Sequence, residues 1–592
     1  MANETKLYFR YQSQQARMDA VQKTMTVKPG GEVKADTYFN FFSYEKWMKY
    51  TSLGNVSLTM TLQGCCDVIL TRVELHADGY AEEYVLKSVR IDEETPVDVT
   101  FDYPSCPVKG LLAFKIRALT PTTMTGGAYC SDVDEQSLED VNIAICICTY
   151  RREDYVYANM KMLQDTIFTK PESMLHGHLR AYIADNGQTL DTQMLQEEAI
   201  KVFPNLNGGG AAGFTRAMME ANADKDTYGL THFILMDDDL VFTQQSLERT
   251  YMFLRFLKPE YRDCMLGGAM LKLNEPYRQH AAGETWDVHA VTFNKVNYNM
   301  RKVKDILRTE LLESTNQLAW WYCCFPISEQ VPKDLALPIF FQYDDFDYNL
   351  RHQERPKITM IGICVWHEAF EKKESTSKNY YALRNSSIIG TLHGGPAFSA
   401  KLLKRRLMRH IFSSLVKYQY KTADLYLRAV GDYLQGFSWL AAQNPQELNT
   451  EIMKSAYQMQ DIQKLPMRFT FKELKTQQVY DYEGRLRRLF RRLTLNGCML
   501  PARGDVIVPS LNTNISFLYR KKRILFYDID TQRGYITEKN WKESFRIMRA
   551  LFAMMRSIDR NFNKTVEQYH NDYPQYITEE FWRKYLGLEV EK

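Results

Sequence analysis

The stretch FILMDDDLVF (233–242) sets four apolar residues directly before three aspartates. Carboxylates favour water over a core and repel one another, so a buried strand ending on Asp237-Asp238-Asp239 calls for something positive at its end. Alternation sends Asp237 and Asp239 to one side and Asp238 to the other. Two carboxylates on one side suit a divalent cation, and oxygen donors suit Mg²⁺ or Mn²⁺. The alternative is an acidic loop that closes a strand and is salt-bridged nearby. Three aspartates alone do not choose between the two.

Upstream, NIAICICTY (142–150) and LRAYIADNG (179–187) are further apolar runs with polar ends, separated by a helix-like stretch at 154–167. With the helical stretch after PNLNGGGAAGF (204–214), the order is strand, helix, strand, helix, strand. That predicts an α/β fold with a largely parallel sheet covered on both faces. Ligands of such sheets sit beyond the carboxyl ends of the strands. Here those ends are Thr149-Tyr150-Arg151-Arg152, Asp185-Asn186 and the three aspartates, which predicts one shared site.

Downstream, LPIFFQYDDFDYNLR (337–351) places Asp344, Asp345 and Asp347 behind another apolar run, and His367 follows a strand-like segment in IGICVWHEAF (361–370). A histidine added to two carboxylates makes a mixed O/N set, which leans toward Mn²⁺. Taken alone, such a histidine is more often structural. Glycines 208–210 and Gly213 open a helical segment. They read either as an anion cradle at a helix N-terminus or as a tight loop, and the spacing fits neither a dinucleotide fingerprint nor a phosphate-loop sequence. Trp320-Trp321-Tyr322 offers aromatic faces to a sugar, or simply core packing. Glu284, in AAGETWD (281–287), is undistinguished by itself.

Around this centre, the first ~135 residues alternate as short strands, as in NVSLTMTLQG (55–64), and predict a β-sandwich. From about 400 the pattern is mainly helical. KLLKRRLMRHIFSSLVKYQYK (401–421) and RLRRLFRRL (485–493) are basic and amphipathic. The predicted domains are 1–138 (β-sandwich), 139–398 (Rossmann-like α/β domain) and 399–592 (helical). A chain of 592 residues exceeds one core at roughly 100–200 residues per domain, and 45% hydrophobic content excludes a disordered chain. A net charge of +3 gives no global field for nucleic acid, which is not an expected partner. Eleven cysteines without framework spacing read as reduced thiols of a cytosolic protein. The N-terminal residues lack a signal-peptide h-region, and no apolar stretch reaches about 18 residues.

Together the segments resemble the GT-A glycosyltransferases that use nucleotide sugars, with DDD as the metal-binding D-x-D element. PNLNGGGAAGFTR, FILMDDD, LGGAMLKL, AGE, WWY, LPIFFQYDDFDYNLR, WHEAF and YYALRN occur in the order seen in the polymerising galactofuranosyltransferases of mycobacterial galactan synthesis, over about 142–395. The resemblance implies UDP-galactofuranose as donor, Mn²⁺ or Mg²⁺ as cofactor, and Asp237, Asp239 and His367 as metal ligands. It implies Arg152, Asn186, Asp237 and Asp238 on the nucleotide side, Asp345 as catalytic base, and Glu284, Trp320, Trp321 and Asp344 on the sugar or acceptor side. It further implies inversion to a β-galactofuranosyl product and a lipid-linked glycan acceptor. The enzyme would then be cytoplasmic, peripheral at the inner face of the membrane through the basic C-terminal helices, and a homo-oligomer. Arg384 and Asn385 fall in the segment matching the family after the metal histidine. The sequence departs from the family at Phe370, Ala382 and the inserted Asn207, which leaves the acceptor open between galactan, a capsule and another surface polysaccharide. Rival readings are a GT-A enzyme with another UDP-sugar, two-metal phosphoryl transfer by the two acidic sets, and a carbohydrate-binding scaffold without catalysis.

Overall fold

In the computed structural model, residues 5–19, 22–195, 197–311, 314–368, 376–467, 483–510, 513–528 and 531–588 are described; Phe370 lies outside them. The chain forms two compact units: Met1–Asn205 with Arg216–Val331 and Asn349–Glu368, and Leu206–Thr215 with Pro332–Tyr348 and Ala369–Lys592.

The first unit begins with an eight-stranded sheet. Its spine is one 20-residue strand, Val56–Leu75, so the short strand expected at 55–64 runs on well past its end. Its first half pairs with Thr122–Ser131, its second half with Leu111–Ala118, and Ala81–Asp102 runs along the whole length. The change of partner comes at Gly64, where φ is +107° and a Cβ would stand 2.4 Å from the Pro121 carbonyl oxygen. Only glycine fits that bulge. Inward residues from both halves, among them Leu58, Leu62, Val68 and Leu70, share one core with Val27 and Ile116, as in a sandwich.

The same unit holds a mixed sheet in the order Ile200–Pro204, Leu179–Asp185, Ile143–Thr149, His232–Asp237, Cys323–Pro326, Met265–Lys272, Lys357–His367, Leu240–Val241. The first four strands are parallel. Cys323–Pro326 runs against both of its neighbours. Ile143 to Ile147 are buried without a break because the sheet is covered on both faces, which is why the run shows no alternation. Register pairs Asp185 with Thr149 and Asp237 with Cys148, so the three polar strand ends lie level along one edge.

The second unit is mainly helical. Its elements include Lys378–His393, Ala400–Val416, Tyr420–Tyr433 and the 32-residue helix Trp541–Asp572. It also carries a four-stranded sheet in the order Gln460–Asp461, Arg533–Glu538, Arg523–Asp528, Val506–Pro509, an element the helical reading did not include. Arg523–Asp528 buries Ile524, Leu525 and Phe526 in succession, so it too lacks the alternation that marks a half-exposed strand. All eleven cysteines are free, and among the described residues no helix is long and apolar enough to cross a membrane.

Candidate functional site

In the first unit, the chain leaves the His232–Asp237 strand through Asp238 and Asp239 and re-enters the sheet at Leu240, which pairs with His367. That pairing turns Asp239 inward: it is 6% exposed, and its Oδ1 lies 2.9 Å from Nε2 of His367, itself 2% exposed. Its other oxygen meets Nη2 of Arg152 at 3.5 Å. Asp238 points toward the neighbouring strand end and accepts from the Tyr150 N–H at 3.4 Å; burial pushes its carboxyl up to about 6.

The His367 ring is informative about its partner. Nδ1 lies 2.6 Å from the Glu368 carbonyl. A carbonyl only accepts, so Nδ1 carries a proton. In a neutral ring Nε2 then presents a lone pair to Asp239, which also only accepts. The contact is stable if Nε2 is protonated as well or if a cation binds both atoms. Metal-ligating histidines habitually donate their second nitrogen to a carbonyl or carboxylate. Adjacent ligands about 2.1 Å from an octahedral ion stand roughly 3.0 Å apart, close to the 2.9 Å observed. Among the described residues, no three His, Cys, Asp or Glu side chains form a ready cage. A carboxylate and an imidazole in contact, with Asp237 on the adjoining strand end, therefore fit an ion whose remaining positions are filled by water or phosphate oxygens.

The neighbouring strand ends are organised by hydrogen bonds within the protein. Asp185, absent from the predicted site set, accepts from the N–H groups of Gly187, Thr189 and Leu190 and so shapes the turn after its strand. Asn186 is buried, donates to the Cys148 sulfur at 3.4 Å and accepts from Asn205 at 2.8 Å. Arg151 takes φ +55° just before Arg152, a left-handed turn that a non-glycine residue adopts at some strain.

Glu284 sits in a short hairpin in which Glu284–Trp286 pairs with Val291–Phe293. It is 3% exposed, and burial pushes its carboxyl up to about 8. At neutral pH it is a neutral acid able to donate a hydrogen bond. Trp320 and Trp321 are both buried. The Trp321 indole N–H donates to the Gly268 carbonyl at 2.8 Å and its ring meets His280 edge-on. Asn349, from the D-Y-x-L-R part of the acidic motif, clasps the backbone of Leu318 just before this pair, accepting its N–H at 3.1 Å and donating to its carbonyl at 3.0 Å. No sequence signal distinguished that asparagine.

In the second unit, Asp344 and Asp345 open the helix Asp344–Arg351, where carboxylates favour the positive end of the dipole. Asp344 is buried, which pushes it up to about 6, opposed by the backbone N–H groups of the first turn. Asp345 is half-buried. Asp347 is fully buried against His393, with Nε2 at 2.9 Å. The glycine cluster serves this segment. Gly209, at φ +73°, lies so close to the Phe340 carbonyl that a Cβ would stand 2.1 Å away, and a Cβ on Gly210 would stand 3.1 Å from the Asp344 carboxylate. The Ala211 N–H donates to Phe340 and the Gly209 N–H to Asn207 Oδ1. With those two amides engaged within the protein, the geometry favours the tight-loop reading of the glycines over the anion cradle, and the inserted Asn207 supplies one of the acceptors.

Residues 2–132 match the family model described as Galactofuranosyltransferase 2 N-terminal, and residues 144–301 match Glycosyl transferase family 2. Galactofuranosyltransferase GlfT2 of Mycolicibacterium smegmatis is 26% identical over 467 residues, covering 75% of this chain and 68% of its own. GlfT2 of Mycobacterium tuberculosis is 27% identical over 477 residues, covering 74% and 72%. The mannosyltransferase PcManGT from Pyrobaculum calidifontis, in complex with GDP-Man and Mn²⁺, shares 10% identity at a TM-score of 0.29 over 55% of this chain and 87% of its own, a likeness too distant to inform the site.

Proposed function

We propose, from the premise that this chain is a glycosyltransferase with a family 2 domain, that it transfers galactofuranose from UDP-galactofuranose to a hydroxyl of a surface glycan, with inversion to a β-linkage. The observation that carries the donor half is the Asp239–His367 contact at the level strand ends. That contact is satisfied by an imidazolium or by a cation bound to both atoms, and we take the second. Asp237, Asp239 and His367 would hold Mn²⁺ or Mg²⁺, which when bound supplies charge to neutralise the diphosphate leaving group. Arg152 supplies a second positive charge beside Asp239, and Asn186 and Asp238 stand at neighbouring strand ends on the proposed nucleotide side. The choice of sugar is supported by the names of the relatives.

Asp345 is the proposed base. It takes the proton from the acceptor hydroxyl as that oxygen attacks the anomeric carbon opposite the diphosphate. One displacement inverts the centre, so no covalent sugar–enzyme species forms. Asp344, raised by burial, is assigned to shaping acceptor binding. Glu284, neutral at pH 7, is suited to donate to a sugar hydroxyl. Trp320 and Trp321 would form the apolar floor on the acceptor side rather than free stacking platforms, given their burial.

Membrane contact belongs to the same proposal, and the two basic helices support it unequally. Ala400–Val416 buries Leu402, Leu403, Leu407, Ile411 and Leu415, leaving only a charged face that includes Arg405 and Arg409. Arg485–Leu493 buries nothing: Leu486, Leu489, Phe490 and Leu493 are 84%, 55%, 53% and 74% exposed. They fall at i, i+3, i+4 and i+7, one stripe of a helix, flanked by five arginines. An exposed apolar stripe between arginines fits the interface of an anionic bilayer. The acceptor would accordingly be lipid-linked, with the enzyme cytoplasmic and peripheral. Assembly as a homo-oligomer rests on the resemblance.

The experiment is UDP release from a panel of UDP-sugars with and without Mn²⁺, with the product anomer read by NMR. The expected result is metal-dependent release from UDP-galactofuranose and a β-anomer. Release from UDP-galactopyranose alone, or none from any UDP-sugar, would overturn the donor assignment.

A further inference from the structure

Three residues in a row of four before the catalytic motif, Phe340, Gln342 and Tyr343, hold φ of +75°, +65° and +71°. None is glycine, and left-handed backbone at bulky residues persists only where surroundings over-determine it. The turn they form leads directly into Asp344 and Asp345. Its surroundings are Arg384 and Asn385 on the helix Lys378–His393.

Both side chains are fully buried, at 1% and 0% exposed. Arg384 Nη2 donates to the Ile339 carbonyl at 2.8 Å. The Asn385 amide lies within hydrogen-bond distance of the Ile339, Phe341 and Gln342 carbonyls, at 3.0, 2.9 and 2.9 Å. Arg384 Nε donates to Asn385 Oδ1 at 2.9 Å, which fixes which way that amide faces. The Tyr380 hydroxyl accepts from Arg384 Nη1 at 3.1 Å and donates to Asp432 Oδ2 at 2.7 Å. Tyr381 stacks on Phe340 at 5.2 Å. From the other side, Ala211 donates to Phe340, and Gly209 leaves no room for the turn to move that way. A guanidinium buried this deeply, with a carbonyl, an amide oxygen and a phenol accepting its hydrogen bonds, is costly for folding alone.

We propose that Arg384 and Asn385 are positioning residues, a clamp that holds the strained 340–343 turn so that the carboxylates of Asp344 and Asp345 start the helix at a fixed place. The inference rests on the reading of Asp345 as the base, and acts through it rather than by contact with substrate. The clamp sets kcat, because a base displaced by about an ångström loses orientation, and leaves donor binding alone.

Asn385→Ala in the full chain tests this, with kcat expressed per UDP-binding site counted by calorimetry in the presence of Mn²⁺. The expected result is at least a tenfold fall in kcat per site with the KM for UDP-sugar unchanged within twofold. In the Asp345→Asn background the same substitution should add nothing. Adding Gln342→Gly, which removes strain that the clamp opposes, should recover part of the loss. A merely structural role would lower the number of sites and leave kcat per site intact, and that result overturns the clamp. Normal turnover by Asp345→Asn alone would instead overturn the base assignment. Should Asn385→Ala fail to fold, Arg384→Lys, which keeps the charge and loses the fork, carries the same test with the same criteria.

Discussion

The acids of 237–239 and the acids of 344–347 look alike in sequence, yet the protein treats them differently. The first set ends a strand. Asp239 is buried between an imidazole and a guanidinium, and Asp238 rests on a backbone N–H. The second set starts a helix, where the dipole and a clamped turn stabilise it, and Asp347 is buried against a histidine. A strand end at the edge of a sheet gathers side chains from several strands, which suits ion and phosphate binding. A helix start held by a rigid turn fixes one carboxylate in space, which suits proton transfer. Position in the fold, rather than residue type, assigns the separate proposed roles.

The sharpest way to break that contrast is Asp345→Asn. The amide keeps the shape and loses the basicity, so kcat should fall by about 10²–10⁴ while Mn²⁺-dependent UDP binding persists. Steady-state UDP release together with calorimetry measures both quantities on one preparation.

Glu284 extends the contrast to an acid whose carboxyl titrates far above its usual range. Burial raises it from its ordinary 4.5 to about 8. The folded state therefore binds a proton that the unfolded state releases between those values, and stability falls as pH rises through that window. The full effect is up to about 5 kcal/mol at ~1.4 kcal/mol per unit. Urea unfolding at pH 5 and pH 8 should show this slope in the natural chain and a flatter one in Glu284→Gln. Equal slopes would mean that the carboxyl is solvated.

The two basic helices repeat the lesson more gently. Replacing Arg485, Arg487 and Arg492 with Gln should weaken binding to vesicles containing anionic lipid by about 1 kcal/mol per arginine. Replacing Arg405 and Arg409 on the packed helix should do less. Flotation that responds equally to both sets, or to neither, would remove the distinction.

Much of this was legible beforehand for identifiable reasons. The runs 143–149, 179–185 and 232–237 are continuously apolar and end in polar residues, so both the sheet and its level polar edge could be read directly. Asp239 and His367 could be nominated by type, although the pairing of Leu240 with His367 that joins them is non-local. The glycines at 208–210 were ambiguous because close approach to a carbonyl and close approach to a phosphate demand the same residue. The helices at 401 and 485 share period and charge, and only packing separates a covered apolar stripe from a bare one. Arg384, Asn385 and Asn349 act on backbone atoms far away in sequence, and such partners leave no local pattern.

The central claim is the seat for a cation at the strand edge, and UDP titration by calorimetry tests it most directly. The natural chain and the Asp237→Asn/Asp239→Asn variant would each be titrated with and without Mn²⁺. The account predicts UDP binding that requires Mn²⁺ in the natural chain and loses that requirement, together with most of its affinity, in the variant. Mn²⁺-independent binding of equal strength in both proteins would contradict it.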